Sequence, residues 1–214
     1  MMKILVLSNL GLGLYKFRKE LLLELTKNYQ VYLALPRDEY IPELQKLGCE
    51  YIELAFKRRG QNPFQDFNLI LTYIKLIKKL KPDLVLTYTI KPNVYGGLAC
   101  ILTRTPYLAN VTGLGTALEN KGPVRRLGLE LYRLGLKKAA CVFFQNQANK
   151  QFFAKAKIVR ANTRLIPGSG VNLRQHNFEG YPSDDEAIHF LFIGRIMKDK
   201  GIDEFLQAAQ AIKT

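Results

Sequence analysis

The stretch KILVLSNLGLGLYKFRKELLLEL, residues 3–25, decides the fold class. It opens with an apolar run from Ile4 to Leu7, which is typical of a strand buried on both faces. Gly11 and Gly13 follow, and the remainder has the apolar spacing of an amphipathic helix. A buried strand that passes through a glycine turn into a helix predicts the first unit of a parallel α/β sheet.

The same alternation of apolar runs and amphipathic stretches continues along the chain and predicts a doubly wound, parallel α/β sheet with right-handed crossovers. Predicted strands cover 3–8, 30–35, 50–54, 83–87, 107–111, 140–144 and 164–167. Predicted helices cover 15–27, 39–47, 66–80, 93–103, 123–138 and 147–154. Asn93 is expected to cap the fourth helix.

The composition changes near residue 171, which predicts a domain boundary. Residues 1–171 are expected to form the first domain, and the polar, acidic stretch 172–186 is expected to be a linker. A strand over 187–193 and a helix over 201–213 then predict the opening of a second domain, 187–214. One strand and one helix cannot bury their own faces, so we expect this second domain to be incomplete.

The positive charge is concentrated in one region of the sequence. The 214 residues contain 32 Lys and Arg against 18 Asp and Glu, a net charge of +14. Residues 121–178 hold twelve of the basic residues and a single acid, Glu130. Such a region favours nucleic acid, anionic lipid or a phosphorylated substrate, although a merely solvated surface remains an alternative. No apolar run reaches the ~20 residues of a membrane span, so we expect a cytoplasmic protein.

Four polar or glycine-containing segments follow predicted strands, at the edge where open α/β sheets bind ligands. They are SNLGLGL at 8–14, TYTIKPNVYGG at 87–97, VTGLGT at 111–116 and GRIMKDKG at 194–201. Glycine allows a backbone to approach a phosphate at a helix N-terminus, and Arg and Lys bind phosphate directly. Hydroxyl, amide and cationic side chains together suit a sugar or phosphate site.

Other site types fit less well. A dinucleotide fingerprint needs a third glycine where the sequence has Lys16, which argues against a dinucleotide-dependent (NAD) enzyme. That enzyme class and a basic nucleic-acid-binding module remain alternatives. The only histidines, His176 and His189, both lie near the predicted linker, so no metal cluster or catalytic triad is expected.

The ordered set of motifs resembles the retaining GT-B glycosyltransferases of family 4, and most closely enzymes that build capsule, O-antigen or N-glycan precursors on undecaprenyl diphosphate. The matching segments are the early glycine turn, KPNVYG at 91–96, VTGLG at 111–115, PGSGV at 167–171 and GRxxxxKG at 194–201. The resemblance covers the whole chain but only the first part of such an enzyme.

The resemblance implies two Rossmann-like domains that face each other across a cleft. A sugar would pass, with retention, from a nucleotide-sugar, most simply a UDP-sugar, to a lipid-linked glycan acceptor. No metal and no cofactor are expected, because fixed cations would neutralise the leaving diphosphate. The implied catalytic and donor-binding residues are Arg195 and Lys200, the further donor contacts are Gly11 and Gly13, and the implied acceptor-side residues are Lys91, Asn93, Thr112 and Gly113.

Two departures from the family pattern matter. Many members have a histidine near the position of Thr112, and threonine cannot act as its cation or base. The E-x7-E region, which grips the donor sugar in the family, is absent, so we expect the chain alone to be inactive.

The resemblance also gives the basic region a role. Arg126, Arg133 and Lys137 are spaced seven and four residues apart and would share one helical face, with Arg125 and Lys138 beside it. We expect this face to lie on the anionic inner surface of the cytoplasmic membrane, near an undecaprenyl-diphosphate-linked acceptor. No nucleic-acid partner is expected.

Overall fold

The computed structural model describes residues 1–56, 63–113, 122–160, 162–180, 188–194 and 196–212. The chain divides into two compact units, Met1–Val171 and Asn172–Thr214.

The first unit alternates strands and helices. Its strands are β1 (Lys3–Leu7), β2 (Gln30–Leu35), β3 (Glu50–Glu53), β4 (Leu84–Tyr88), β5 (Tyr107–Val111), β6 (Cys141–Phe144) and β7 (Thr163–Leu165). Its helices are α1 (Gly11–Thr26), α2 (Ile41–Lys46), α3 (Pro63–Leu80), α4 (Gly97–Thr103), α5 (Pro123–Leu136) and α6 (Gln147–Lys155), and a π-helical turn, Pro92–Gly96, precedes α4.

The described strands form one parallel sheet in the order β3-β2-β1-β4-β5-β6-β7. Leu7, at the end of β1, lies opposite Ala34 of β2 and Thr87 of β4. The chain builds outward from β1 on one side and then crosses to β4 on the other. The carboxyl ends of β1 and β4 therefore form the topological switch point, where sheets of this kind bind ligands. The predicted doubly wound parallel α/β sheet is confirmed.

Both faces of the sheet are buried, which explains why its strands are continuous apolar runs. Ile4 and Val6 pack into a cluster with Leu14 of α1, on the side that α1 and α2 cover. Leu5 packs into the opposite cluster, with Tyr73 of α3. Successive side chains of one strand thus enter two separate cores.

The fourth predicted helix differs from the observed one. Asn93 was expected to cap it, but Asn93 lies inside the π-helical turn and makes no capping bond there. The N-cap prediction is therefore wrong. The physical reason is that the side chain is engaged in a buried network, described below.

The second unit contains a single-turn 3-10 helix, Lys198–Lys200, and a helix α7, Ile202–Ile212. The predicted helix over 201–213 is confirmed within one residue at each end. The predicted strand over 187–193 is wrong for its described part, 188–193, which has no regular structure. A strand needs a neighbour to accept its backbone hydrogen bonds, and no other strand is described in this unit.

Candidate functional site

A cavity of about 350 Å³ lies at the switch point between β1 and β4. Its lining includes the turn after β1, the first half of α1 and the ends of β4 and β5. Its described lining contains no acidic residue and is formed by Ser8, Asn9, Leu10, Gly13, Leu14, Phe17, Arg18, Tyr88, Thr89, Thr112, Gln145 and Ser169. The walls therefore present hydroxyl, amide and guanidinium groups beside apolar surface.

Two polar groups in the cavity wall are buried without a hydrogen-bond partner among the described residues. They are Oγ1 of Thr89 and Nε2 of Gln145. Thr89 also has a φ of +74°, which is strained for a β-branched residue. Unpaired buried groups and strained backbone both cost stability, and both concentrate where a protein binds a ligand.

The glycine turn after β1 is shorter than expected, because Gly11 already begins helix α1. The backbone N–H of Gly11 donates to Oδ2 of Asp38 at 2.6 Å, and that of Leu12 donates to the same oxygen at 3.3 Å. Asp38 follows β2, so a carboxylate from the neighbouring crossover occupies the helix N-terminus. The expected approach of Gly11 to the donor phosphates stays a prediction, and in this structure the Gly11 N–H group binds the Asp38 carboxylate.

This contact also bears on the dinucleotide alternative. In a dinucleotide-binding unit the helix N-terminus holds the pyrophosphate, and the acid after the second strand holds the ribose. Here the Asp38 carboxylate binds the helix N-terminus.

Gly13 lines the cavity and has no atom within 4 Å of the position that a Cβ would take, so space remains beside it.

The Asn93 side chain, which was predicted to line the acceptor side, is completely buried. Its Oδ1 accepts a hydrogen bond from Oγ1 of Thr87 at 2.7 Å, and its Nδ2 donates to the carbonyl of Asn110 at 2.9 Å. Both ends of the amide thus tie the π-helical turn to β4 and β5. In this structure Asn93 supports the site from within and does not face solvent.

Helix α5 approaches the turn after β4 very closely. A Cβ on Gly97 would overlap the carbonyl of Gly135, and one on Gly135 would lie 2.6 Å from Cα of Val94. The hydroxyl of Tyr107 donates to the Gly135 carbonyl at 2.7 Å. Backbone therefore packs directly on backbone, and the position of this turn is rigidly set.

Lys91 lies in a second cavity, of about 600 Å³, and does not line the switch-point cavity. Its Nζ pairs with Oδ1 of Asp66 at 2.7 Å, and the hydroxyl of Tyr95 donates to Oδ2 of the same carboxylate at 2.8 Å. Burial raises the pKa of Tyr95, and the hydrogen bond to Asp66 raises it further. Asp66, on α3, thus holds both residues of the turn after β4.

The remaining predicted site residues are divided between the units. Thr112 is exposed and lines the switch-point cavity, and Gly113 follows it with open space around its Cβ position. Lys200 is exposed in the second unit. Arg195 lies outside the described residues. Lys91, Asn93 and Thr112 therefore belong to three separate environments of the first unit.

The predicted membrane-facing cations also separate into two groups. The guanidinium of Arg125 stacks on the ring of Phe152, 5.3 Å from its centroid. Arg133 donates to the carbonyls of Ala156 and Lys157 and pairs with Glu130. Both arginines therefore connect α5 with α6 and the residues just after it, and their assignment to the membrane face stays a prediction. The exposed members of the predicted set are Arg126, Lys137 and Lys138.

Sequence reasoning assigned no site role to Arg18, Asp38, Asp66 and Gln145, and it included Thr89 only as part of the segment 87–97. One signal was available for Arg18: it lies four residues after Leu14 and four before Leu22, on the buried stripe of α1. A cation at a core position of a helix is unusual. The sequence holds no comparable signal for Asp38 and Asp66, because their partners come from distant elements. The burial of the Thr89 hydroxyl and the Gln145 amide also depends on packing that spacing along the chain does not reveal.

Among the described residues, no helix is long and apolar enough to cross a bilayer. The same residues contain no group of three or more His, Cys, Asp and Glu side chains placed to hold a metal ion.

Two curated bacterial enzymes are similar in sequence. One is N,N'-diacetylbacillosaminyl-diphospho-undecaprenol alpha-1,3-N-acetylgalactosaminyltransferase of Campylobacter jejuni, 29% identical over 230 aligned positions that cover 99% of this chain and 61% of the enzyme. The other is the capsular polysaccharide biosynthesis glycosyltransferase CapM of Staphylococcus aureus, 26% identical over 79% of this chain and 48% of CapM. The chain thus spans about half to three fifths of the length of these relatives.

Solved structures share the fold. A glycosyltransferase from Rickettsia africae superposes with a TM-score of 0.62 and 22% identity, over 82% of this chain and 45% of its own. Anabaena HepE, in complex with UDP and glucose, superposes with a TM-score of 0.59 and 19% identity, over 81% and 46%. Both confirm the Rossmann-like, GT-B-type architecture of the first unit.

The family assignment rests on the extent of a sequence match. The model of the family described as "Glycosyl transferase 4-like" matches residues 3–146, from β1 to the residue after Gln145. That segment contains most of the switch-point cavity lining. Neither the dinucleotide-dependent nor the nucleic-acid alternative is favoured by these similarities. The chain belongs to the glycosyl transferase 4-like family.

Proposed function

We propose that this chain is the acceptor-side part of a retaining glycosyltransferase. The enzyme transfers a hexose or N-acetylhexosamine from a UDP-sugar to a lipid-linked glycan in bacterial surface polysaccharide or glycan synthesis. One observation carries the proposal: a glycosyltransferase-family sheet has, at its switch point, a cavity whose described lining presents hydroxyl, amide and guanidinium groups and no acid. Such groups bind the hydroxyls and phosphates of a glycosyl diphosphate.

The identities of donor and acceptor are suggested by the relatives. The Campylobacter enzyme is named for a transfer to a diphospho-undecaprenol-linked sugar, and HepE was solved with UDP and glucose. By analogy, the acceptor of this protein is a glycan on undecaprenyl diphosphate and its donor is a UDP-sugar. CapM is named for capsular polysaccharide biosynthesis, which belongs to the same broad class of pathway as the assembly of lipid-linked glycans.

The catalytic roles are also part of the proposal. Arg195 and Lys200 hold the donor diphosphate and stabilise the negative charge that develops on it in the transition state. Fixed cations in this role make the reaction independent of a metal ion and of any cofactor. On the acceptor side, Thr112 and Gly113 contact the acceptor, Gly13 leaves room for it, and Lys91 acts from the second cavity.

Membrane association would bring the protein to its acceptor. Arg126, Lys137 and Lys138 are exposed on α5 or just after it, and Leu127 and Leu134 on the same helix are 62% and 50% exposed. Each cation near an anionic surface contributes roughly 1 kcal/mol, and exposed leucines add apolar contact. We propose a peripheral position on the cytoplasmic face of the membrane.

A transfer assay tests the proposal. The complete open reading frame that contains this chain is expressed and incubated with radiolabelled UDP-sugars and undecaprenyl-diphosphate-linked acceptors, with and without EDTA. We expect labelled lipid-linked product in both conditions. NMR of the product should show that the transferred sugar keeps the anomeric configuration that it has in the donor. Arg195→Ala and Lys200→Ala should each lower kcat at least a hundredfold, with Lys198→Ala as the matched control. Undiminished turnover in both variants would refute the donor assignment.

A further inference from the structure

Arg18 is a buried cation on helix α1. Its side chain is only 8% exposed and lies on the same stripe as Leu14 and Leu22, which belong to the core. Burying a charge is costly unless an opposite charge or several hydrogen bonds compensate for it. An arginine at this position therefore requires a physical explanation.

The contacts of Arg18 do not neutralise its charge. One guanidinium N–H donates to the carbonyl of the neighbouring Phe17 at 2.6 Å, and the guanidinium stacks on the ring of Tyr88, 5.3 Å from its centroid. The ion pairs formed between described residues involve other cations. Burial raises the pKa of Tyr88, and Arg18 opposes only part of that rise, so the phenol stays neutral at neutral pH.

The surroundings of Arg18 are chemically suited to an anion. It lines the switch-point cavity, whose described wall contains no carboxylate. The two unpaired buried groups of that wall, the Thr89 hydroxyl and the Gln145 amide N–H, can both donate hydrogen bonds. A fork of guanidinium donors with two neutral donors matches the several oxygens of a phosphate better than it matches a neutral sugar.

We propose that Arg18, Thr89 and Gln145 form a binding site for a diphosphate group in the first unit. The proposal of a prenyl diphosphate as its source rests on the function proposed above. Phe17, which is 58% exposed and lines the same cavity, offers apolar surface to the first part of a prenyl chain. A bound diphosphate would provide the negative charge that compensates the Arg18 guanidinium. It would also accept hydrogen bonds from the two unpaired donors, Thr89 and Gln145.

The test measures binding directly, without any transfer reaction. The 214-residue chain is titrated with geranyl diphosphate, with UDP and with geraniol, which lacks the diphosphate, by calorimetry. We expect geranyl diphosphate to bind and geraniol to bind at least tenfold more weakly. Arg18→Gln should weaken diphosphate binding at least tenfold, whereas Lys16→Gln, an exposed cation on the same helix, should change it less than twofold.

The UDP titration distinguishes the two sources of a diphosphate. Binding of UDP that Arg18→Gln also weakens would support the site and assign it to the donor. Equal affinity of the wild-type protein and Arg18→Gln for every diphosphate would overturn the proposal. A protein that binds through Arg18 but fails in the transfer assay would refute the proposed function and leave this site intact.

Arg18→Gln could also fail to fold, since Arg18 packs against Tyr88. A second measurement on the unaltered protein covers that case. In a ¹⁵N-arginine-labelled sample, saturating geranyl diphosphate should shift the Nε–H resonance of Arg18 and leave that of Arg104 in place. An unmoved Arg18 resonance at saturation would contradict the proposal.

Discussion

The turns after β1 and β4 leave neighbouring strands at the same edge of the sheet, yet they are held in different ways. After β1, the side chain of Asp38 binds the backbone N–H groups of Gly11 and Leu12. After β4, backbone packs on backbone at Gly97 and Gly135. A side chain can rotate away at small cost, but a backbone contact cannot. The comparison suggests that the first turn can adapt to a ligand, whereas the second is a fixed reference for the site.

The largest effect should come from Gly97→Ala. The added methyl group would overlap the Gly135 carbonyl, and neither backbone can move without disturbing β4 or α5. We expect a loss of about 3 kcal/mol or more in the free energy of unfolding, measured by urea denaturation. Gly113→Ala, at the same edge but with open space around it, is the control and should cost far less. Similar small losses in both variants would show that the turn after β4 is not locked.

The next effect concerns the buried network of the same turn. Asn93→Leu leaves the Thr87 hydroxyl and the Asn110 carbonyl without their partner, and should cost about 2–3 kcal/mol of stability. Adding Thr87→Val removes one of the orphaned groups. The double variant should therefore be less destabilised than the sum of the single variants. Strict additivity in this cycle would mean that the network does not couple the turn to β4.

The turn after β1 should respond more weakly. Gly11→Ala places a methyl group against the Asp38 carboxylate and should cost about 1 kcal/mol, the usual value of a lost helix cap. Gly13→Ala meets no atom within 4 Å and should be neutral, or stabilising by up to about 1 kcal/mol, because alanine favours helix. Chemical denaturation measures both. A Gly11→Ala loss as large as that of Gly97→Ala would remove the contrast between the turns.

An effect comparable to that of Gly11→Ala should come from Tyr95→Phe. The variant loses the hydrogen bond to Asp66, so near pH 8 it should be less stable by about 0.5–1.5 kcal/mol. Because burial and Asp66 raise the folded-state pKa of Tyr95, the wild-type protein loses stability as pH rises through the unfolded pKa near ~10. Phenylalanine has no proton to lose, so the difference should shrink above that pH. A constant difference between pH 8 and pH 11 would contradict this explanation.

Several elements were predicted from the sequence within one or two residues. The strands over 30–35 and 107–111 were predicted without error, since short apolar runs between turns are unambiguous when both faces of a sheet are buried. The start of α1 was missed by four residues because Asp38, which stabilises it, is distant in sequence. The strand predicted over 187–193, in the second unit, is not observed in its described part. A local sequence pattern does not reveal whether a strand has a partner to pair with.

The candidate site was less predictable than the fold. The switch-point edge, Gly13 and Thr112 followed from strand order and motif position, and the structure places both residues in one cavity. Lys91 and Asn93 were predicted beside them, but an ion pair to Asp66 and a buried amide network separate them. Motifs record which residues follow a strand, whereas the direction of each side chain depends on contacts with other elements.

The sequence by itself determined the parallel α/β sheet, its two buried faces and the edge at which ligands bind, because apolar periodicity and the order of elements are local properties. Only the tertiary structure decided which donors are already engaged. It showed Asp38 on the α1 N-terminus, Asp66 on Lys91, and Arg18 buried with no acid paired to it among the described residues. These facts depend on residues brought together from separate crossovers, and charge compensation is a property of distance in space rather than of spacing along the chain.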